Sequence, residues 1–248
     1  MMGIVLGSAV VFLSKKEMSS KLQKSLLGFA AGVMVSASFW SLLLPSVRMS
    51  EDAEKMAIIP TAIGFIAGMG FLLLIDMVTP HMHIGSTQSE GPRSHLSRTT
   101  MLMLAITIHH LPEGMAIGVV LAGAGQGDIG ISTASALVVS LGIAIQNIPE
   151  GAVVSIPMRA SGKSRRKSFL LGCLSGVAQP LGAILVLLLA TIFVPLLPYL
   201  LAFAAGAMLY VVVEELIPEA NNGKHTNLST VLFAVGFVVM MLLDYMLE

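Results

Sequence analysis

Apolar stretches close to the length of a bilayer crossing recur along nearly the whole of this 248-residue chain. A helix needs about 20 consecutive apolar residues to cross the hydrocarbon core. Between polar breaks, the runs cover roughly 1–14, 25–45, 57–79, 99–122, 130–158, 169–194, 196–218 and 228–247. Composition agrees: 55% of residues are hydrophobic and 11% are charged, where soluble domains carry about 25% charge. No stretch remains for a soluble domain. The expected fold is all-α, a single polytopic transmembrane domain over 1–248 with eight helices.

The first run is short for a span. No basic segment precedes it and Lys15-Lys16 follow it, which favours a late-starting or truncated first span over a cleaved signal. The sixth and seventh runs are parted by Val194-Pro195-Leu196-Leu197-Pro198, a tight turn. Lys and Arg placement sets the orientation. Odd-numbered loops hold Lys15, Lys16, Lys21, Lys24, Arg93, Arg98, Arg159, Lys163, Arg165, Arg166, Lys167 and Lys224; even loops hold only Arg48 and Lys55. Both termini are therefore expected outside, with the His-bearing loop 80–98 in the cytoplasm. Net formal charge is zero and gives no sign of nucleic acid as a partner. Cys173 is alone, so no intrachain disulfide forms.

Two internal echoes organise the runs. His109-His110-Leu111-Pro112-Glu113-Gly114 and Gln146-Asn147-Ile148-Pro149-Glu150-Gly151 stand 37 residues apart in the fourth and fifth spans. Phe29-Ala30-Ala31-Gly32-Val33-Met34 matches Phe203-Ala204-Ala205-Gly206-Ala207-Met208, and each run reaches a Pro exit, Leu44-Pro45 and Ile217-Pro218. In an eight-span chain both pairs of spans run in opposite directions. That is the pattern of an inverted repeat, in a 3+2+3 arrangement, with a site at the repeat interface. Gly28/Gly32, Gly64/Gly68 and Gly172/Gly176 fit close helix packing.

The two six-residue motifs carry the chemistry. An intramembrane carboxylate is expensive and marks a functional site by default. His109 and Gln146 stand four residues before Glu113 and Glu150, and His110 and Asn147 stand three before, so each Glu shares a helical face with both partners and has the reach to bridge two cations. Pro112 and Pro149 leave the Ile108 and Ile145 carbonyls without their usual donors, which lipid tolerates only where other groups, water or an ion satisfy them. Two bare carboxylates in low dielectric do not both stay ionised; a divalent cation removes that conflict. Imidazole, carboxylate and amide oxygen suit Zn²⁺ and its neighbours better than Mg²⁺ or Ca²⁺. The plainer alternative is a helix–helix hydrogen-bond cluster of His, Gln and protonated Glu, which serves either motif alone better than both together.

The paired motifs HHLPEG and QNIPEG resemble the fourth- and fifth-helix signatures of the ZIP (Zrt/Irt-like) metal transporters, in the GufA-like branch. The likeness extends over the chain and includes Val213-Glu214-Glu215-Leu216-Ile217-Pro218 in the seventh span. It implies transport of zinc, with Cd²⁺, Fe²⁺ or Mn²⁺ as further cargo, into the cytoplasm through a binuclear centre. By position it implies a first metal on His109, Glu113, Gln146 and Glu150. The second metal would use His110, Asn147 and Gln179 and share Glu113 and Glu150. Gln179 stands where several relatives have Glu, His110 where many have Asn, and Asn147 where some have Asp, so the second position is altered. Asp76, His81 and His83, with Glu215, are implied as an exit-side relay. In mechanism, spans one to three and six to eight would shift relative to four and five.

His95, in a polar loop, is a further candidate ligand. Glu214 and Asp244 read as interfacial acids, and Met34 as a pore residue or core filler among seventeen Met. The expected partners are divalent metal ions and the lipid bilayer, with a homodimer as a further expectation and no organic cofactor. A transporter, not an enzyme, is expected, and no nucleotide-binding loop is present for direct ATP drive. The rival readings are a proton or cation channel relayed by the two Glu, and an intramembrane zinc hydrolase. The latter classically carries His-Glu-x-x-His, which this chain lacks.

Overall fold

The computed structural model describes residues 1–14, 18–50, 56, 58–82, 91–96, 98–125, 131–192, 194–223 and 226–247. Seven helices among them are long and apolar enough to cross a membrane, and no β-strand occurs among the described residues. A shorter apolar helix, α1 (Met2–Phe12), precedes α2 (Ser20–Arg48), α3 (Ile58–Val78), α4 (Arg98–Ala124), α5 (Thr133–Ala160), α6 (Arg165–Ala190), α7 (Leu197–Asn221) and α8 (Leu228–Met246).

Local chemistry sets several of the ends. Ser19, Ser132 and Ser164 each turn a side-chain oxygen back onto the first turn, accepting from the backbone N–H of Leu22, Ser135 and Lys167. These caps satisfy donors that have no intrahelical partner. They also explain why α2 begins at Ser20 and α6 at Arg165, several residues ahead of the apolar runs. Both α4 and α5 stay helical through their prolines. In α2 and α7 a π-helical turn, Ser38–Leu43 and Val212–Leu216, directly precedes the Leu44-Pro45 and Ile217-Pro218 steps. A π turn is a common way to re-aim a helix near a functional site.

The helices pack most closely as four pairs: α1 with α5, α4 with α6, α2 with α8, and α3 with α7. Glycine makes these seams. Four Phe-x-x-Gly runs meet reciprocally, so that Gly32 faces the Phe233 carbonyl oxygen and Gly236 faces that of Phe29. In the other pair, Gly68 faces the Phe203 carbonyl and Gly206 that of Phe65. A Cβ at any of the four would overlap backbone oxygen. Close backbone approach through small residues is the ordinary substitute, in lipid, for a hydrophobic driving force.

Burial separates centre from periphery. Only 22% of the apolar window of α3 and of α8 is buried, against 61% for α5 and 67% for α2. Lipid-facing side chains such as Ile66, Leu74, Val231 and Val238 stand exposed on the outer pair. Met34 and its counterpart Met208 are both fully buried in the main apolar core, beside Leu27, Leu72 and Leu201.

Candidate metal centre

The middle of α4 and α5 carries the buried polar groups. His110, Glu113, Gln146, Asn147 and Gln179 are each at most 2% exposed. His110, Glu113 and Glu150 form a cluster whose ligating atoms all lie within 4.8 Å of one another. His110 and Glu113 come from one turn of α4, and Glu150 reaches across from α5. The last glycine of each motif has a packing role. Gly114 lies against the backbone of Gln179 in α6, and Gly151 against that of Ile4 in α1. The first contact brings α6 close enough for Gln179 to enter the centre.

Hydrogen bonds aim these groups. His110 Nδ1 lies 3.0 Å from the Ser175 carbonyl oxygen; when Nδ1 donates there, Nε2 presents its lone pair to the cluster. That Nε2 stands 3.5 Å from Glu150 Oε2. Gln146 Nε2 donates to Glu113 Oε1 at 3.0 Å, and Gln179 Nε2 donates to Glu113 Oε2. Gln179 Oε1 in turn accepts from the Met1 nitrogen at 2.5 Å. Three buried amide atoms have no hydrogen-bond partner among the described residues: Gln146 Oε1, Asn147 Oδ1 and Asn147 Nδ2. A buried polar atom without a partner costs about 1–3 kcal/mol. Two carboxylates, an imidazole nitrogen and unused amide oxygens gathered at one depth form a donor set that a divalent cation satisfies.

The two adjacent histidines point to different partners. His109 Nε2 pairs with Glu215 Oε1 of α7, both side chains being about one-tenth exposed. The structure thus brings Glu113, Gln146 and Glu150 together with His110, and sets His109 with Glu215. His110, Glu113 and Glu150 line one cavity with His109 and Glu215, also bounded by Leu27, Met82, Val153, Val211, Leu216 and Glu219.

Asp76 and His81 meet at the end of α3, with His81 Nε2 3.1 Å from Asp76 Oδ1. Tyr210 of α7 donates to Asp76 Oδ2 at 2.9 Å, and His81 Nδ1 lies 2.8 Å from the Thr79 carbonyl. His83 lies outside the described residues. His95 is exposed in a coil and Glu214 is exposed on α7. Asp244 is buried and accepts from Ser41 Oγ at 2.6 Å. Met34 stands in the apolar core and not in the cluster. Sequence reasoning passed over Tyr210, Glu219 and the Ser175 carbonyl. A tyrosine inside an apolar span was the one visible signal, since the chain has only three.

The ZIP Zinc transporter family profile matches residues 79–244. Zinc transporter ZIP11 of Homo sapiens is 36% identical, over 96% of this chain and 92% of its own length. Zinc transporter GufA of Myxococcus xanthus is 36% identical, over 95% of this chain and 91% of its own. Zinc transporter ZIPB of Bordetella bronchiseptica is 37% identical, over 95% and 75%. The chain belongs to the ZIP zinc transporter family. Membership and the seven apolar helices make it an integral membrane protein of metal transport. The matched region holds both six-residue motifs and Glu215, so every residue of the buried cluster falls within it.

Proposed function

We propose that this chain moves Zn²⁺ into the cytoplasm, binding it at the His110–Glu113–Glu150 cluster as cargo. The observation that carries the reading is that cluster, with ligating atoms all within 4.8 Å of one another. Gln146 and Asn147 complete the first coordination with amide oxygens. A second metal position would share Glu113 and Glu150 and draw on Gln179, whose neutral amide makes it the weaker of the two. Cd²⁺, Fe²⁺ and Mn²⁺ share enough ligand preference to compete.

The path continues from the cluster along the shared cavity, past the His109–Glu215 pair towards Glu219. Asp76 and His81 form a second polar station at the end of α3. With α1 counted as a crossing, the helices number eight and both termini lie outside. An inverted repeat is supported by the seams. Exchanging α1 with α6, α2 with α7, α3 with α8 and α4 with α5 carries each pair onto another pair. It also carries Gly7 facing Ile148 onto Gly182 facing Leu111, and Gly32 facing Phe233 onto Gly206 facing Phe65.

The seams also bear on the motion. Backbone contacts through Gly7 and Gly151 tie α1 to α5, and contacts through Gly114 and Gly182 tie α4 to α6. The body that carries the metal is then α1, α4, α5 and α6, moving against α2, α3, α7 and α8. This differs from a split that isolates α4 and α5, because α1 and α6 meet them backbone to backbone at these glycines. Saturable ⁶⁵Zn uptake into proteoliposomes tests the function. Wild type should saturate, and Glu113→Ala should reduce uptake to the level of empty vesicles. A metal-independent proton or cation current in wild type that is lost in Glu113→Ala would instead favour a channel relayed by the two Glu.

A further inference from the structure

Away from the metal path, α4 and α6 separate and leave an open groove. Their seam is tight where Gly114, Gly118 and Gly182 meet backbone. Before that point α6 is broken at Gly176-Val177, where turn-type bonds to Cys173 and Leu174 replace helical ones. The gap is lined by Met103, Thr107, Leu171, Leu174, Leu181 and Lys163. Its walls are apolar, and Thr107 spends its hydroxyl on the Met103 carbonyl.

Lys163 belongs to a strongly basic connection between α5 and α6. Arg159, Lys163, Arg165, Arg166 and Lys167 fall within nine residues, and no acidic residue occurs between Glu150 and Glu214. Arg159 Nη1 donates to the Lys163 carbonyl at 2.8 Å, which folds the α5–α6 connection so that both cations belong to one rim. Arg165, Arg166 and Lys167 are exposed on the first turn of α6. An apolar slot between helices under a cluster of cations fits an amphiphile with one or two acyl chains and an anionic head.

We propose that this groove holds an anionic phospholipid, its acyl chain against Leu171, Leu174 and Leu181 and its phosphate against Lys163 and the neighbouring arginines. By the Lys and Arg distribution this is a lipid of the cytoplasmic leaflet. The site shares no residue with the metal cluster, so it stands apart from the transport reading. Zwitterionic phosphatidylcholine fills the slot equally well but sets its own ammonium among the same cations.

Native mass spectrometry of the full chain, with phosphatidylglycerol and phosphatidylcholine of equal chain length competing, tests this. The expected result is a preference of about tenfold or more for phosphatidylglycerol, since several clustered cations attract the anionic head together. The triple variant Lys163→Gln, Arg165→Gln, Arg166→Gln should lose most of that preference, while Lys21→Gln, a cation elsewhere on the surface, should keep it. Leu174→Trp, which fills the slot from an exposed position, should lower retention of both lipids. Equal retention of the two lipids by wild type overturns the proposal, as does a triple variant that keeps the preference. So does self-association abolished by Leu174→Trp without change in lipid retention, which would make the groove a contact between copies.

Discussion

Replacing Asn147 with Leu should make the metal-free protein more stable and remove most of what zinc adds. Asn147 is fully buried, and neither amide atom has a hydrogen-bond partner among the described residues. At about 1–3 kcal/mol for each orphaned polar atom, the two amide atoms cost the metal-free state roughly 2–6 kcal/mol. Leucine has nearly the same shape and no polar atoms. Space is limited, because α1 approaches so closely that a Cβ on Gly3 would stand 2.8 Å from Asn147 Cβ. Crowding then returns about 1 kcal/mol of the gain. The net is roughly 1–5 kcal/mol in favour of the variant. For a chain of this size that corresponds to a rise of about 2–20 °C in the thermal midpoint. Zinc at a hundredfold excess over its Kd stabilises wild type by about 2.7 kcal/mol, and loss of an amide ligand should cut that increment sharply. Thermal unfolding of detergent-purified protein, in chelator and in zinc, reads both quantities. A variant that melts below wild type in chelator, or gains as much from zinc as wild type does, refutes the reasoning.

Gly206→Leu should destabilise the chain by about 1–3 kcal/mol, because its side chain would collide with the Phe65 carbonyl. Gly70→Ala, which meets nothing within 4 Å, should leave the melting temperature within a degree or two. His109→Ala should slow ⁶⁵Zn uptake about tenfold while zinc bound per purified chain stays unchanged; a parallel fall in bound zinc would place His109 in the centre itself. Gln179→Glu should raise the bound zinc towards two per chain in equilibrium dialysis, by restoring an anionic ligand to the second position.

The sequence carried the helices well, because each depends on a local property. Runs such as 57–79 and 228–247 return as Ile58–Val78 and Leu228–Met246, since apolar length is what lipid selects. The starts of α2 and α6 moved by several residues because Ser19 and Ser164 cap polar first turns that hydropathy does not register. The motifs also announced the buried centre. Which histidine faces Glu150 was not legible, since His109 and His110 both lie within a turn of Glu113. That choice rests on how α4 is rotated against α6, through the Ser175 carbonyl held to His110. Tyr210 escaped notice for a similar reason. Its contact with Asp76 joins residues 134 positions apart and depends on the α3–α7 seam. The glycine patterns were visible as packing signals, but their reciprocal Phe carbonyl partners exist only once the helices are paired.

The central claim is that the His110–Glu113–Glu150 cluster binds the transported metal. Elemental analysis of zinc per chain, after loading and exhaustive desalting, tests it most directly on wild type and Glu113→Ala side by side. The account predicts at least one zinc per wild-type chain and close to none in Glu113→Ala. Wild type without zinc, or a Glu113→Ala variant that retains the wild-type amount, contradicts it.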